Sequence, residues 1–361
     1  MNNTTSAVER PLTLFLNDKR GVSVYNIEHN DSNMNAPLEQ QITKQEESIT
    51  NEPNEGLIFS PNGQYIAIIY KDRVSIQDTT KSCQQVKCIS GEEGASISNV
   101  QFSPLNTFFV TLGKYSPHKS TSGNLVVWKL FPEADDGQYD QLACKILLRT
   151  KYKASGTDFW PVVQWNDDES ICAIWQQDMK SLNFYKYSVP KQQQQPKQQQ
   201  QQEEPEEDIP PQQFENEKQF QLVSRFKKPK VLKFKLSSKS TFAIHTHNGQ
   251  TQQHLVQIYR YPNFKKPTCF ISFASEGRNE EVDIEMKWNR IGSALLVHTT
   301  ASTDRQNENY YGKSQVYFLR ANGHFTCQVT LSKSGPVHDV AWSPKGNEFC
   351  MVYGYTPMKA T

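Results

Sequence analysis

The chain has 361 residues, and its 39 lysine and arginine residues nearly balance its 38 aspartate and glutamate residues, for a net charge of +1 at pH 7. This balance excludes a global field that would draw the whole chain onto nucleic acid or membrane, so any polyanion contact must come from a local patch. The length allows a sizeable hydrophobic core, in one large repeat domain or in two ordinary domains.

The seven cysteines are scattered along the chain without a C-x-x-C pair. This usage favours free thiols in a reducing compartment over a disulfide framework or a zinc site. The first residues lack the pattern of a signal peptide, and the sequence contains no apolar run long enough to span a membrane. We therefore expect a cytoplasmic protein that is neither secreted nor inserted in a membrane.

Residues 1–11 are expected to be disordered, and residues 12–27 are predicted to form a hairpin because apolar residues alternate around a turn at residues 17–21. No S-P-x-G turn precedes this hairpin. We interpret it as the outer half of a blade, which in ring propellers pairs with strands from the other terminus. The polar residues 30–54 are predicted to be a long surface loop.

From residue 57 onward the sequence repeats a hairpin whose tight turn reads S-P-x-G in its clearest copies. Proline presets φ at the second position of such a turn, and glycine tolerates a positive φ. The turns begin at Ser60, Ser103, Asn166, Ser237, Asn289 and Ser343. After each complete hairpin an apolar segment predicts a strand farther out, at residues 73–77, 125–129, 182–187, 255–259 and 315–319. Each repeat therefore has the length and the hairpin pattern of one four-stranded propeller blade.

The predicted blades cover residues 57–88, 97–130, 159–187, 220–261, 282–320 and 337–361, of which the last is incomplete. We predict an all-β fold, a β-propeller of WD-repeat-like four-stranded blades, with about five whole blades and two partial ones counted from the repeats.

A low-complexity segment interrupts this array. The blades occupy residues 12–187 and 219–361, and residues 188–218 are a Gln/Glu/Pro-rich insert between two of them. The insert has almost no apolar side chain to offset its ordering entropy, so it is predicted to be disordered.

The closing segment, GPVHDVAWSPKGNEFCMVYGYTPMKAT at residues 335–361, has the most specific pattern in the chain. It closely resembles a stretch of the eukaryotic translation initiation factor 2A family, where a D-V-x-W strand precedes E-F-x-V-Y-G and a P-x-K-A-T turn. The matching residues are Asp339, Val340, Trp342, Glu348, Phe349, Val352, Tyr353, Gly354, Pro357, Lys359, Ala360 and Thr361. The segments LFLNDKRGVSVYNI, GLIFSPNGQYIAIIYKDRVSIQD and NLVVWKLF look like the same family in the same order.

The resemblance implies a nine-bladed propeller followed by a helical C-terminal region, so that this chain would be a C-terminally truncated member. It also implies a translation initiation factor that binds the small ribosomal subunit and helps direct initiator methionyl-tRNA to it without requiring GTP. Other translation factors and mRNA are further partners open to such a protein.

Two alternatives stay open. One is the propeller subunit of the multisubunit initiation factor three, which usually has an RNA-recognition motif that residues 1–56 are too short to contain. The other is a generic WD-repeat-like adaptor for protein interactions.

No motif predicts catalysis, a cofactor or a small-molecule substrate, so we expect a protein that is not an enzyme. The G-K-S sequence at residues 312–314 resembles the end of a P-loop, but Asn307 stands in place of the first glycine. A G-x-S-x-G nucleophile elbow is absent. The acidic residues 167–169 are interpreted as a turn.

Histidine and tryptophan side chains are also weighed as sites. His245, His247 and His254 make a metal site conceivable, but ordinary strand histidines are the favoured interpretation, so no metal is predicted. Five tryptophans are expected to be core residues in equivalent blade positions. They are Trp128, Trp165, Trp175, Trp288 and Trp342.

The remaining candidate is a basic run, RFKKPKVLKFK at residues 225–235. We predict that it contacts RNA or the ribosome, because lysine and arginine contacts with phosphate supply sequence-independent affinity. The candidate residues are Arg225, Lys227, Lys228, Lys230, Lys233 and Lys235, extended by Lys265 and Lys266.

Within the run, Leu232, Phe234 and Leu236 are expected on one strand face, with Lys233 and Lys235 on the other. The acidic residues 203–208 are either an intramolecular competitor for the run or simply solvated.

Overall fold

The computed structural model describes residues 12–18, 20–27, 42–44, 49–91, 96–115, 123–132, 142–153, 160–176, 180–187, 220–248, 250–274, 282–301, 313–355 and 359–361. In this part of the chain the structure is nearly all-β, and its one short helical segment is a 3-10 turn at Thr79–Lys81. The predicted fold class is confirmed.

The described strands form seven antiparallel sheets, numbered here in chain order, and each sheet keeps its strands in sequence order. Sheet 1 contains β1 (Leu12–Asp18), β2 (Gly21–Ile27) and β3 (Ile42–Lys44). Sheet 2 contains β4 (Gly56–Phe59), β5 (Tyr65–Ile69), β6 (Arg73–Asp78) and β7 (Gln84–Ser90). Sheet 3 contains β8 (Ile97–Phe102), β9 (Phe108–Gly113), β10 (Leu125–Pro132) and β11 (Leu142–Thr150).

The remaining sheets repeat the same plan. Sheet 4 contains β12 (Val163–Trp165), β13 (Ile171–Gln176), β14 (Ser181–Tyr187) and β15 (Phe220–Lys227). Sheet 5 contains β16 (Val231–Leu236), β17 (Thr241–Asn248), β18 (Gln253–Arg260) and β19 (Cys269–Ala274). Sheet 6 contains β20 (Val282–Trp288), β21 (Ala294–Ala301), β22 (Ser314–Arg320) and β23 (Thr326–Gln328). Sheet 7 contains β24 (Val337–Trp342), β25 (Phe349–Tyr353) and β26 (Lys359–Ala360). The five four-stranded and two three-stranded sheets of the described chain agree with the predicted whole and partial blades.

The tight turns repeat in structure as they do in sequence. The N–H of Gly63 donates to the carbonyl of Ser60 at 2.8 Å, and Gly346 makes the same bond to Ser343 at 2.8 Å. Both glycines have a positive φ, +74° at Gly63 and +76° at Gly346, which a side chain would strain. The residue pattern S-P-x-G thus fixes how the first and second strands of a sheet are joined.

The chain divides into two compact units, residues 1–102 with 106–150, and residues 103–105 with 151–361. In the first unit, sheets 2 and 3 share one apolar cluster that includes Ile76, Val100 and Phe109. Sheet 1 packs against sheet 2 through Val22 and Ile68. Within this unit each sheet therefore buries apolar side chains against its neighbour in sequence.

In the second unit, an apolar cluster joins each sheet to the next. Between sheets 4 and 5, the ring of Phe226 lies 5.3 Å from that of Phe242 and 4.8 Å from that of Tyr259. In sheets 5 and 6 the second strands, β17 and β21, are the most continuously buried, because neighbouring sheets cover both of their faces.

The first strands of consecutive sheets in the second unit lie side by side and are joined by side chains. The amide of Gln164 on β12 donates to the carbonyl of Phe234 at 3.1 Å and accepts from the N–H of Leu236 at 2.8 Å. The indole of Trp288 on β20 donates to the carbonyl of Lys235 at 3.0 Å. These bonds satisfy backbone groups that a first strand would otherwise leave unpaired at its edge.

Two sequence predictions are wrong in detail. The predicted loop at residues 30–54 contains β3, which pairs with β2, and Thr50 bridges to Val22. The Gln-rich insert does not separate two blades, because β14 before it and β15 after it pair in sheet 4, with Tyr187 opposite Phe220. The insert itself, at residues 188–218, and the expected disordered N-terminus lie outside the described residues. The five strands predicted farther out after the hairpins are present as the third strands of their sheets, and a fourth strand follows each one.

The predicted face of β16 is also wrong at one position. A β-bulge between Val231 and Lys233 shifts the pairing with β17, so that Val231 is buried and Leu232 is 42% exposed. Phe234 and Leu236 are buried as expected. The prediction assumed strict alternation along β16. The bulge breaks that alternation, because it places two residues of β16 opposite one residue of β17.

Candidate functional site: a divided basic run and a first-strand cavity

The structure divides the predicted basic run between two sheets. Arg225 and Lys227 lie on β15, the fourth strand of sheet 4, whereas Lys233 and Lys235 lie on β16, the first strand of sheet 5. The turn with Lys228 and Lys230 connects them. The residues are adjacent in sequence but lie at opposite edges of their sheets, so they do not form one continuous patch.

The first group, here called the edge-strand group, comprises Arg225, Lys227, Lys228, Lys230, Lys265 and Lys266. Except for the half-buried Lys228, these side chains are exposed. Aromatic contacts bring its two segments together, since the ring of Phe226 lies 5.4 Å from the ring of Phe264. Lys227 and Lys265 follow these two rings in the sequence, so the group frames an aromatic cluster with cations.

Lys228 is held in place by this cluster. Its Nζ donates to the hydroxyl of Tyr259 at 3.0 Å and lies 5.6 Å from the centre of the Tyr259 ring. The geometry is a cation–π contact with an added hydrogen bond. Lys228 is therefore a structural link between sheets 4 and 5 as well as part of the basic surface.

The second group consists of Lys233 and Lys235 on β16, and it lies near carboxylates of β20. The Nζ of Lys233 donates to Oδ1 of Asp283 on β20 at 2.6 Å. This bond holds the pKa of Asp283 below its usual range, because it stabilises the charged carboxylate. Lys233 therefore neutralises a carboxylate of the next first strand and is poorly placed to meet phosphate.

The same kind of link recurs between sheets 6 and 7. The Nζ of Lys287 on β20 donates to Oδ1 of Asp339 at 3.1 Å and to the carbonyl of Val340 at 2.8 Å. It also lies 3.1 Å from Oε1 of Glu285. These carboxylates outweigh the cost of desolvation and raise the pKa of Lys287.

Lys235 is the exception among these first-strand lysines. It occupies the same place on β16 as Lys287 on β20, one residue before the end of the strand. Among the described residues its ammonium group makes no hydrogen bond or ion pair, and burial lowers its pKa. The partner that it would meet by analogy, Glu285, is already bound by Lys287.

A cavity of about 190 Å³ lies beside Lys235. First strands of three consecutive sheets contribute to its wall, and Trp160 and Pro161 close it from the segment before β12. Phe234, Ile284 and Met286 give it an apolar lining, while Lys233, Lys235 and Glu285 give it charge.

The five tryptophans lie on strands, but only three share a position. Trp165, Trp288 and Trp342 end the first strands of their sheets, whereas Trp175 lies on β13 and Trp128 on β10. Trp342 repeats the link of Trp288, since its indole donates to the carbonyl of Lys287 at 2.8 Å.

The three histidines form a cluster in sheet 5, in which His245 and His254 are buried and His247 is half-buried. Nε2 of His245 lies 3.0 Å from Nδ1 of His254, whose ring stacks on His247 at 4.3 Å and on Phe273 at 5.5 Å. Burial lowers the pKa of His245 to about 3 and that of His254 to about 4, and the neighbouring histidines add to the effect. In the part of the chain that the structure describes, no group of three or more His, Cys, Asp or Glu side chains is arranged to hold a metal ion.

The other motifs occupy structural positions. Residues 167–169 form the turn between β12 and β13, as predicted. Lys313 precedes β22 and Ser314 begins it, so no helix follows the G-K-S sequence. Gly312 and Asn307 lie outside the described residues. No helix in the described ranges is long and apolar enough to cross a membrane.

Sheets of four antiparallel strands, packed with first strand beside first strand, define a protein of the β-propeller class. A solved structure titled "Crystal structure of the eukaryotic initiation factor" has the same fold, with a TM-score of 0.63 and 20% identity over 97% of this chain and 70% of that chain.

The sequence comparisons are more specific. The model of the family "Eukaryotic translation initiation factor eIF2A" matches residues 279–361. Eukaryotic translation initiation factor 2A of Schizosaccharomyces pombe is 26% identical over 85% of this chain and 45% of its own length. The protein of the same name from Drosophila melanogaster is 39% identical over 33% of this chain and 18% of its own length. The resemblance to the eukaryotic translation initiation factor 2A family is thus confirmed. The chain spans less than half the length of these relatives.

Proposed function

We propose that this chain acts in translation initiation as a non-catalytic scaffold, binding the small ribosomal subunit and helping to direct initiator methionyl-tRNA to it. The observation that supports this most is the similarity to a named initiation factor along 85% of the chain. Other translation factors and mRNA belong to the same proposal as further partners. A cytoplasmic location and the lack of a cofactor or small-molecule substrate go with it.

The edge-strand group is the proposed contact for ribosomal or transfer RNA. Among the described residues its exposed cations form no ion pair that binding to phosphate would break, and exposed ammonium and guanidinium groups release counterions from RNA when they bind. The proposal no longer gives equal weight to Lys233 and Lys235. Lys233 is hydrogen-bonded to Asp283, and Lys235 lines a cavity together with Glu285.

The two alternatives make different predictions. A propeller subunit of initiation factor three would bind the small subunit without selecting initiator tRNA. A generic adaptor would bind neither. The matches to factor 2A proteins from several species favour the first proposal over both.

Co-sedimentation tests the proposal. The chain is centrifuged with purified small or large ribosomal subunits over a series of salt concentrations, and initiator and elongator methionyl-tRNA are compared in filter binding. The proposal expects binding to the small subunit that weakens steeply with salt, and a preference for initiator tRNA. Equal binding to both subunits, or none at the lowest salt, would refute it.

A further inference from the structure

The cavity beside Lys235 combines an unneutralised cation with apolar walls. Lys235 occupies the position on its strand that Lys287 occupies on the first strand of the next sheet. There Lys287 binds the carboxylate of Asp339 and the carbonyl of Val340. Glu285, which would be the counterpart for Lys235, is held by Lys287 at 3.1 Å. Lys235 is thus desolvated without a hydrogen bond or ion pair among the described residues, and this burial lowers its pKa although the charge of Glu285 opposes the effect.

The charges around the cavity restrict what can fill it. Lys233 pairs with Asp283, and Lys287 pairs with both Glu285 and Asp339, so Lys235 is the one lysine of these three without a salt bridge among the described residues. A single carboxylate would match its charge. A chain of phosphates would bring further negative charge close to the carboxylates of Asp283 and Glu285, and these like charges would repel each other.

The size and lining restrict it further. A volume of about 190 Å³ accommodates a large side chain rather than a nucleotide. The indole of Trp160 and the side chains of Met286 and Ile284 offer apolar contact next to the ammonium group. A free small carboxylate would gain few contacts to offset its lost freedom, whereas a peptide adds contacts on both sides of the inserted side chain.

We propose that this cavity binds an acidic peptide segment of a partner protein, with a glutamate or aspartate carboxylate on Lys235 and a neighbouring apolar side chain against Trp160 and Met286. This site is separate from the edge-strand group and does not depend on the proposed role in translation.

Methyl NMR of the full chain tests the site, because Met286 is one of the residues that line the cavity. The chain is labelled with ¹³C-methyl methionine, and the Met286 signal is assigned with the Met286→Leu variant. The acetylated, amidated peptide Gly-Glu-Phe-Gly is then titrated beside its glutamine counterpart, Gly-Gln-Phe-Gly. We expect a saturable shift of the Met286 signal with the first peptide and at least about tenfold weaker binding of the second, which lacks the charge.

Variants of Lys235 supply the second arm. Lys235→Met should weaken binding of the glutamate peptide by about tenfold or more, since the aliphatic stem remains and the charge is lost. Lys235→Arg should retain most of the binding. Lys239→Met removes an exposed lysine of the adjacent turn and should leave binding unchanged. Circular dichroism verifies that each variant is folded.

Three outcomes would overturn the proposal. Equal binding of the glutamate and glutamine peptides by the unmodified chain would show that Lys235 does not recognise a carboxylate, and this comparison needs no variant. Binding of 3-phenylpropanoate as tightly as the peptide would assign the cavity to small free carboxylates. Tighter, Lys235-dependent binding of a uridine hexanucleotide would assign it to RNA.

Discussion

Two lysines in equivalent positions of consecutive sheets have opposite surroundings, and their stability effects should differ in sign. Lys287 bridges Asp339 and the carbonyl of Val340, whereas Lys235 is desolvated without a partner among the described residues. We expect Lys287→Met to lower the free energy of unfolding by about 1 kcal/mol, because it leaves acceptors unsatisfied. Lys235→Met should leave it unchanged or raise it, because burying methylene groups without a charge costs less.

Urea titrations of the two variants and the unmodified chain measure both effects. The two substitutions are chemically identical, so each is the control for the other. A loss of stability in Lys235→Met as large as that in Lys287→Met would show that Lys235 has a stabilising partner.

The buried histidines should make stability depend on pH. Unfolded histidine has a pKa of about 6.5, so the unfolded chain binds protons that His245 and His254 refuse in the fold, where their pKa values are about 3 and about 4. Protonation then favours unfolding as pH falls below about 6.5, and each histidine contributes a slope of about 1.4 kcal/mol per pH unit until its folded pKa is reached. Groups facing the cluster include His247, Lys233 and Asp283.

This slope is measured by urea titration at pH 7.5, 6.5, 5.5 and 5.0, with His245→Phe as the comparison. The variant keeps a ring in the stack but cannot titrate, so its slope between pH 6.5 and 5.0 should be smaller than that of the unmodified chain. Parallel pH profiles would contradict the assignment of the slope to this cluster.

At this scale the sequence predicted residue types better than residue environments. The tryptophans that end first strands could be recognised as structural from the repeat, yet the indole bonds of Trp288 and Trp342 to the preceding sheet depend on packing that no single strand reveals. Likewise, the alternation on β16 predicted Lys233 on the face opposite Phe234, but a bulge moved Leu232 to the surface. The carboxylates facing Lys233 come from a strand about fifty residues later in the chain, so the basic run looked like an open patch.

Among the elements, sheet 4 is the most informative, because its third and fourth strands are separated in sequence by the Gln-rich insert. Tyr187 and Phe220 are paired across these strands, so residues 191–213 are not needed to connect them. Deleting these residues shortens the connection between the two strands, which slightly lowers the entropic cost of bringing its ends together. We predict that the melting temperature changes by no more than about two degrees.

Differential scanning fluorimetry of the deletion variant measures this change. A replacement of residues 191–213 by glycine and serine at the original length is the matched control for loop length. A marked loss of stability in both would show that the native insert contributes contacts to a blade.

Two glycines of the first unit should respond very differently to alanine. At Gly21, with φ of +147°, an added Cβ would lie 1.9 Å from the carbonyl oxygen of Thr50, which bridges to Val22. At Gly63, with φ of +74°, nothing lies within 4 Å of the added atom. Gly63→Ala should therefore cost about 1 kcal/mol of backbone strain, and Gly21→Ala should cost several times more.

The melting temperatures of Gly21→Ala and Gly63→Ala test this contrast. Similar losses in the two variants would mean that residues 49–50 do not cover β2. That contact is the element-scale feature that the sequence missed, because residues 30–54 are polar and lack the alternation that identified the other strands.

For the molecule as a whole, the number of blades followed from the repeated hairpins and the apolar segments after them, while the site did not. Repetition specifies which strands pair within a sheet, because each hairpin and its following strands are local in sequence. Repetition does not specify which side chains of successive sheets contact each other. These contacts determine whether a lysine is exposed, ion-paired or buried. The edge-strand group is the basic surface that remains after this sorting.

The most direct test of the proposed scaffold role compares two quadruple variants in co-sedimentation with small ribosomal subunits across a salt series. One replaces Lys227, Lys230, Lys265 and Lys266 with glutamine, and the control replaces the exposed Lys71, Lys151, Lys239 and Lys345. Both lose the same net charge, so a general electrostatic effect would appear equally in each. We predict that the first variant binds more weakly and that its log–log salt slope is flatter by somewhat under one for each lost contact, while the control binds like the unmodified chain. Indistinguishable binding and slopes in the two folded variants would contradict the assignment of the ribosome contact to this surface.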